Sequence, residues 1–330
     1  MQYLPFGNTS MRVSRLCLGG MMFSRKLDLD ASRRVVDEAL EAGVNFIDTA
    51  ESYGESEEFL GQVLDGRRDK VQIATKLYTQ RAGEEHGRNS RANITHSLER
   101  SLKLLKTDHV DLYQLHHPDD QTPIEQTLEA LDHVTKQGKA RYVGVTNHYA
   151  WQMARMIGLA ACNGWAKIAS IQCSYSIVDR PAEIETIPMA RQFNLALMAY
   201  YPLRAGVLTG KYSRADALPS GSRAEQDPKL QRLLAKPRLW ELLPRLRSIA
   251  QRNDLKLNQL AMLWLLAKDY VTCPIIGGSR PEHYRDMYAI ADHTLPADDV
   301  REIDQISLDF VYKPFVNQPV GAMPGLADPW

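Results

Sequence analysis

The chain has 330 residues, of which 44% are hydrophobic and 24% charged; these are globular averages and exclude a disordered or low-complexity protein. Lys+Arg and Asp+Glu both number 40, so the formal net charge is zero, and nothing in that balance suggests nucleic acid or an acidic membrane surface as a partner. The opening Met1-Gln-Tyr-Leu-Pro lacks a basic stretch followed by an apolar run, so no secretory signal is expected, and the most apolar helical stretch, Leu260 to Ala267, is too short to cross a bilayer. Four scattered cysteines (Cys17, Cys162, Cys173, Cys273) without a C-x-x-C pair read as small buried hydrophobes, which fits a reducing cytoplasm.

In chain order, Leu16 to Gly20 is a first short strand. Asp30 is placed to cap a helix whose apolar positions Val35, Val36, Ala39 and Leu40 keep helical spacing until Gly43 stops it. Asn45 to Ala50 is a buried strand, Glu55 to Leu64 a helix and Val71 to Lys76 the third strand. Ser90 to Leu105 is amphipathic, with Ile94, Leu98, Leu102 and Leu105 on one face, and Asp111 to His116 is the fourth strand. Thr122-Pro-Ile-Glu125 reads as a capping box with Pro at the first helical position, and Gly138 ends that helix. Strands follow at Ala140 to Asn147, Ile168 to Tyr175 and Leu195 to Tyr201, separated by helices at Ala150 to Cys162 and Glu183 to Phe193.

The rhythm then breaks. Arg204 to Lys236 is a long polar segment after strand seven, with Pro219, Gly221 and Pro228, and loops of that length are usually functional. Helices at about 238–253, with Pro244 expected to kink the first, and about 257–268 come next. Cys273 to Gly278 is the eighth strand, Arg280 to Ala291 the last barrel helix, Asp298 to Ser307 an extra helix, and Pro314 to Trp330 an irregular tail. Eight strands alternating with helices, without an interdomain linker, predict an α/β fold: a (β/α)8 TIM barrel forming a single domain over 1–330. No G-x-G-x-x-G fingerprint follows an early strand, which argues against an open dinucleotide-binding sheet.

In such a barrel the reacting groups belong at the C-terminal ends of strands. Asp48, Lys76, His116, Asn147, Gln172, Tyr200 and Gly277 each fall at or just past such an end, one β/α unit apart, and Tyr53 lies in the loop after Asp48. Tyrosine alone, with a pKa of about 10, is a poor proton donor at neutral pH. A Lys76 ammonium beside Tyr53 would favour the phenolate and lower that pKa, Asp48 would hold the lysine charged, and His116 could orient a carbonyl oxygen next to the phenol. That set suits protonation of a carbonyl oxygen as hydride arrives at carbon. A metal-dependent hydrolase using His116, His117 and Asp119 is disfavoured, because adjacent histidines on a strand point to opposite faces; no metal is expected.

The sequence resembles the aldo-keto reductase superfamily, in the branch containing bacterial reductases and potassium-channel β subunits. The likeness runs from about Gly7 to about Ala291 and is carried by Asn45-Phe-Ile-Asp-Thr-Ala-Glu-Ser-Tyr-Gly54, Ile73-Ala-Thr-Lys76, Asp111-Leu-Tyr-Gln-Leu-His116, Gly144-Val-Thr-Asn147, Ile171-Gln172, Tyr200-Tyr-Pro-Leu203 and Gly206-Val-Leu-Thr-Gly-Lys211. It implies a catalytic tetrad of Asp48, Tyr53, Lys76 and His116 and NADP(H) as cofactor. Thr146, Asn147 and Gln172 would bond the nicotinamide carboxamide, Tyr200 would stack on the ring, and Gly20 and Met21 would approach its ribose. Tyr201, Pro202, Leu203, Arg204, Gly206 and Leu208 would cover the pyrophosphate, with Lys211 and Arg223 as phosphate contacts on a flap. Gly277, Ser279, Arg280, His283 and Asp286 would take the far end of the nucleotide. Ser279 here opens a second capping box, Ser279-Arg-Pro-Glu282, whose free N–H groups suit a 2′-phosphate.

The resemblance implies reversible reduction of an aldehyde or ketone to an alcohol, with Tyr53 as general acid/base and a small-molecule carbonyl or alcohol as the partner. The alternative is a nucleotide-sensing regulatory protein like the channel β subunits. His117 stands where relatives more often carry Trp or Arg and is assigned to the substrate pocket, with Met22, Phe23, Tyr78, His148 and, from the tail, Tyr312 and Phe315. This aromatic set with polar handles is compatible with a sugar-derived ketone, an aromatic aldehyde or a polycyclic ketone.

Overall fold

The strands are short and nearly continuous in apolar residues because a parallel barrel buries both of their faces. The computed structural model describes residues 1–78, 88–214, 218 and 222–311; Pro219, Gly221, Tyr312 and Phe315 lie outside them. An antiparallel hairpin, β1 (Tyr3–Pro5) and β2 (Arg12–Ser14), comes first. Eight parallel strands then close into a barrel: β3 (Cys17–Gly19), β4 (Phe46–Asp48), β5 (Gln72–Leu77), β6 (Val110–Leu115), β7 (Ala140–Thr146), β8 (Ile168–Ser174), β9 (Ala196–Tyr200) and β10 (Cys273–Ile276), the last pairing with both β9 and β3. The expected (β/α)8 barrel is therefore present. The hairpin escapes the sequence reading, since three-residue strands are too short to display alternation.

Around the barrel lie α1 (Leu29–Glu41), α2 (Ser56–Val63), α3 (Arg91–Leu105), α4 (Ile124–Lys136), α5 (Ala150–Asn163), α6 (Thr186–Gln192), α7 (Pro228–Leu234), α8 (Pro237–Arg252), α9 (Leu257–Leu266), α10 (Pro281–Tyr288) and α11 (Ala297–Ile306). Several helix starts differ from expectation. Asp28, not Asp30, caps α1, its carboxylate accepting the Ala31 N–H at 2.8 Å; Asp30 falls in the first turn, where it still complements the dipole. The Thr122 box does not form. Pro123 is extended and begins α4 one residue later, and Asp119 Oδ1 already accepts the N–H groups of Gln121 and Thr122. The Ser279 box fails for the same reason: Arg280 is extended and occupies the cap position without a side-chain bond, so α10 starts at Pro281 and ends three residues earlier than expected.

The polar segment after β9 is not featureless. It contains 3-10 turns at Arg204–Thr209 and Arg223–Glu225, and α7, whose cap Asp227 accepts the N–H groups of Lys229 and Leu230. The chain runs helically through Pro244 inside α8.

Inside the barrel an apolar plug and a polar layer are stacked along the same strand faces. Phe6 of the hairpin loop meets Phe46 edge-on with ring centroids 5.4 Å apart, and joins Cys17, Ala74, Leu112, Ala169, Ala196, Met198 and Cys273 in one buried cluster. Side chains two residues apart on a strand share a face. Phe46, Ala74 and Leu112 are therefore followed by Asp48, Lys76 and Gln114, all buried, toward the C-terminal rim. Gly144 leaves room in this layer, since a Cβ there would lie 2.1 Å from Ser170 Oγ.

Candidate active site

The centre of the polar layer is a buried ion pair. Lys76 Nζ lies 2.6 Å from Asp48 Oδ2, donates to the Thr49 carbonyl at 2.8 Å and reaches Tyr53 Oη at 3.5 Å, which occupies all three ammonium protons. Asp48 Oδ1 accepts from Gln172 Nε2 at 2.8 Å and faces Gln114 Nε2 at 3.4 Å. Burial works to depress the Lys76 pKa, but Asp48 and Tyr53 together more than offset it and hold the ammonium above its ordinary value.

Tyr53 stands half-buried in the turn between β4 and α2, its N–H on the Ala50 carbonyl. The Lys76 ammonium is 4.9 Å from its ring centroid, and the His116 ring meets it edge-on at 5.8 Å. Burial pushes the phenol above its ordinary pKa. Lys76 acts in the expected, acidifying direction, but burial outweighs it, so the net shift is upward and opposite to the sequence-based expectation.

His116 and His117 are stacked, their rings 4.8 Å apart and parallel within 1°. Contrary to expectation they do not face opposite ways, because both lie past the end of β6, where the pleat no longer dictates direction. Burial, Lys76 and His117 push His116 down to about 2, so it is neutral, and burial also lowers His117. Ser52 Oγ stands 3.4 Å from His116 Nδ1. With Ser52 as donor, the imidazole proton sits on Nε2, free to donate into the mouth.

At the end of β7, Asn147 adopts a left-handed conformation (φ +62), which asparagine tolerates. Its Oδ1 accepts from Tyr200 Oη at 2.7 Å and its Nδ2 donates to the His116 carbonyl at 3.1 Å. Thr146 Oγ1 is buried without a partner among the described residues, an open polar atom that a carboxamide would satisfy. Gly20 is tightly enclosed, since a Cβ there would lie 2.7 Å from Ser56 Oγ, and Met21 is half-buried beside it.

In the turn after β9, Tyr201, Arg204, Ala205 and Gly206 all have positive φ. The N–H groups of Arg204, Gly206 and Leu208 are used within the turn, and Pro202 and Leu208 are buried while Leu203 is half-buried. Arg204 Nε is 3.4 Å from Asp179 Oδ2, and the Arg223 guanidinium lies 4.7 Å from the Tyr201 ring and bonds its hydroxyl. Gly277, Ser279 and Arg280 are exposed next to His283, whose pKa is lowered by burial and then by the Arg280 charge, with Lys211 a smaller contributor. Asp286 is committed to Lys256 at 2.6 Å.

Of the substrate residues, Met22 and Tyr78 are half-buried, and the Tyr78 N–H donates to Glu51 Oε2. Phe23 is wholly buried in the core and presents no surface, contrary to expectation. His148 is also buried; its Nδ1–H donates to the Thr146 carbonyl at 2.8 Å, and burial pushes it down to about 4. The sequence reading missed Gln114 and Ser52. Gln114 was accessible from the alternation Leu112, Gln114, His116 along one strand; Ser52 carried no such signal.

A parallel barrel with these groups on its C-terminal rim defines a class of enzyme-like folds, and comparison with known proteins narrows it. The Aldo/keto reductase family model matches residues 15–308, and the chain belongs to this family. It is 34% identical over 320 residues to the uncharacterized oxidoreductase YrpG of Bacillus subtilis, covering 93% of this chain and 96% of the relative. It is 33% identical over 292 residues to a probable voltage-gated potassium channel subunit beta of Oryza sativa (85% and 88% coverage) and 31% identical over 323 residues to the L-glyceraldehyde 3-phosphate reductase of Escherichia coli (92% of each). The protein is thus an oxidoreductase of the carbonyl-reducing kind, from a family that typically uses a nicotinamide cofactor and acts on small-molecule carbonyl compounds. Among the described residues no helix is long and apolar enough to cross a membrane.

Proposed function

We propose that the protein is an NADP(H)-dependent reductase that converts an aldehyde or ketone reversibly to an alcohol, with Tyr53 as the proton donor. The observation that carries this reading is the Lys76 ammonium held between Asp48 at 2.6 Å and Tyr53 Oη at 3.5 Å on the barrel rim. The cofactor, when bound, supplies the hydride. Thr146 Oγ1 and the Asn147 and Gln172 amides would hold its carboxamide, Tyr200 its ring, and the turn from Tyr201 to Leu208 with Arg223 its phosphates. Lys211 and Arg280 provide the positive charge that a 2′-phosphate requires, which favours NADP(H) over NAD(H).

The substrate oxygen would sit between Tyr53 Oη and His116 Nε2. Neutral His116 donates one hydrogen bond and orients the carbonyl without competing for the proton. As negative charge develops on that oxygen, Tyr53 releases its phenolic proton to it, and the phenolate left behind is stabilised by the adjacent ammonium. Asp48 keeps Lys76 charged and aimed, and its own oxygens are fixed by Gln172 and Gln114.

A Tyr53→Phe protein should bind NADPH with undiminished fluorescence quenching and lose at least about a hundredfold in turnover of a test aldehyde. Turnover within a few-fold of wild type rejects the role. The similarity to a channel β subunit favours a second reading, a regulatory protein that senses nucleotide redox state. Light scattering and partner capture with and without NADP+ distinguish it, since rapid multi-substrate turnover without a stable partner counts against that reading.

A further inference from the structure

Arg25 occupies the tip of the turn that follows β3. The N–H groups of Arg25, Lys26 and Leu27 all donate to the Met22 carbonyl, and Ser24 N–H donates to Leu27, so the turn is closed on itself. Arg25 Nη2 donates to the Ser52 carbonyl at 2.6 Å, which pins the guanidinium to the same loop that carries Tyr53, with Cζ 5.8 Å from the Tyr53 ring centroid. A guanidinium has five N–H donors, and this bond uses one.

The charge is uncompensated: among the described residues Arg25 forms no ion pair. Glu55, whose N–H donates to Ser24 Oγ at 3.0 Å, forms no ion pair with Arg25 among the described residues, and three other acids are engaged elsewhere. Asp28 caps α1, Glu51 bonds Arg100 and the Tyr78 N–H, and Asp48 is closed by Lys76. His116, beside Tyr53, is neutral and Lys76 is closed by Asp48, so neither competes with Arg25 for an incoming anion. An exposed side chain fixed by a backbone carbonyl, with donors to spare, has lost part of its rotamer freedom before any ligand arrives.

We propose that Arg25 recognises an anionic substituent of the substrate, a carboxylate or phosphate placed a few bonds from the reacting carbonyl. The 5.8 Å between the guanidinium carbon and the phenol ring centroid puts both groups within reach of one small molecule. This deepens the reductase reading and rests on Tyr53 marking where the carbonyl sits.

The test compares kcat/KM within two substrate pairs, 3-carboxybenzaldehyde against benzaldehyde and glycolaldehyde phosphate against glycolaldehyde, in wild type, Arg25→Gln and Arg25→Lys. Wild type should prefer the anionic member of one pair, and that pair identifies the group as carboxylate or phosphate. Arg25→Gln should lower the preference about tenfold or more, mainly through KM, while Arg25→Lys retains part of it. Using the ratio on one protein cancels any general loss from a loosened turn. No preference in wild type, or a preference that survives Arg25→Gln within about twofold, overturns the proposal. Calorimetric titration of the same four compounds reads binding without turnover. If no aldehyde is reduced but the anionic ones bind through Arg25, the reductase reading fails and with it the placement beside a reacting carbonyl, while Arg25 remains an anion-binding residue.

Discussion

Gln172 on β8 donates to Asp48 on β4 across 2.8 Å, joining strands that stand opposite one another in the eight-strand ring. The contact explains how a carboxylate survives under the rim: one oxygen is held by Lys76, the other by a neutral amide, and the remaining contact, from Gln114, is long. It also means that the carboxamide role expected of Gln172 has to be met by the rest of its amide, since Nε2 is committed.

Replacing Gln172 by Leu should therefore cost about 1.5–3 kcal/mol of stability, the range for a lost hydrogen bond to a charged group. Gln172→Glu should cost more at pH 7, where a second carboxylate faces Asp48, and less at pH 5. Urea denaturation of both variants at the two pH values checks this. Equal stability of wild type and Gln172→Leu would mean that Asp48 does not depend on the cross-barrel bond.

The phenol of Tyr53 offers a second measurement. Because burial outweighs Lys76, Tyr53 in the cofactor-free protein should ionise above pH 10, and in Lys76→Met later still. The difference in absorbance near 295 nm between wild type and Tyr53→Phe, followed from pH 8 upward, isolates this one tyrosine. A phenolate band below pH 9 would show that the ammonium dominates after all.

The barrel and the convergence of Asp48, Lys76, His116, Asn147, Gln172 and Tyr200 were legible because strand ends in a parallel barrel are one repeat apart and polar residues in apolar runs stand out. What misled was local. Thr122 and Ser279 carry the pattern of a capping box, yet a following proline or an extended residue moved the helix start past them. The hydroxyl pattern says which residue can cap, and the backbone decides which does. Phe23 looked like a pocket aromatic, but the turn from Met22 to Leu27 folds it inward and puts Arg25 outside. The opposition between Lys76 and burial at Tyr53 is a difference of two large effects, and no sequence pattern gives its sign.

Histidine ionisation sets the last prediction. His116 at about 2 and His148 at about 4 are both depressed from the ordinary 6.5, each chiefly by burial. Below about pH 6.5 the unfolded chain takes up protons that the folded chain refuses, so the stability these neutral rings contribute is complete above that pH. It is lost progressively as the pH falls from 6.5 toward 4 for His148 and toward 2 for His116. Each group should contribute a slope of up to roughly 1.4 kcal/mol per pH unit within its window. The measurement is the urea-unfolding free energy at steps between pH 7.5 and 5 for wild type, His116→Gln, His148→Asn and the double variant. The first amide retains a donor where Nε2–H points, and the second retains the bond to the Thr146 carbonyl. Other titrating groups, such as the buried Glu57 with its raised pKa, are common to all four proteins and cancel in the differences. The single variants should each flatten the acid slope and the double variant should flatten it most; a double variant as pH-sensitive as wild type would mean that neither histidine is held neutral by the fold.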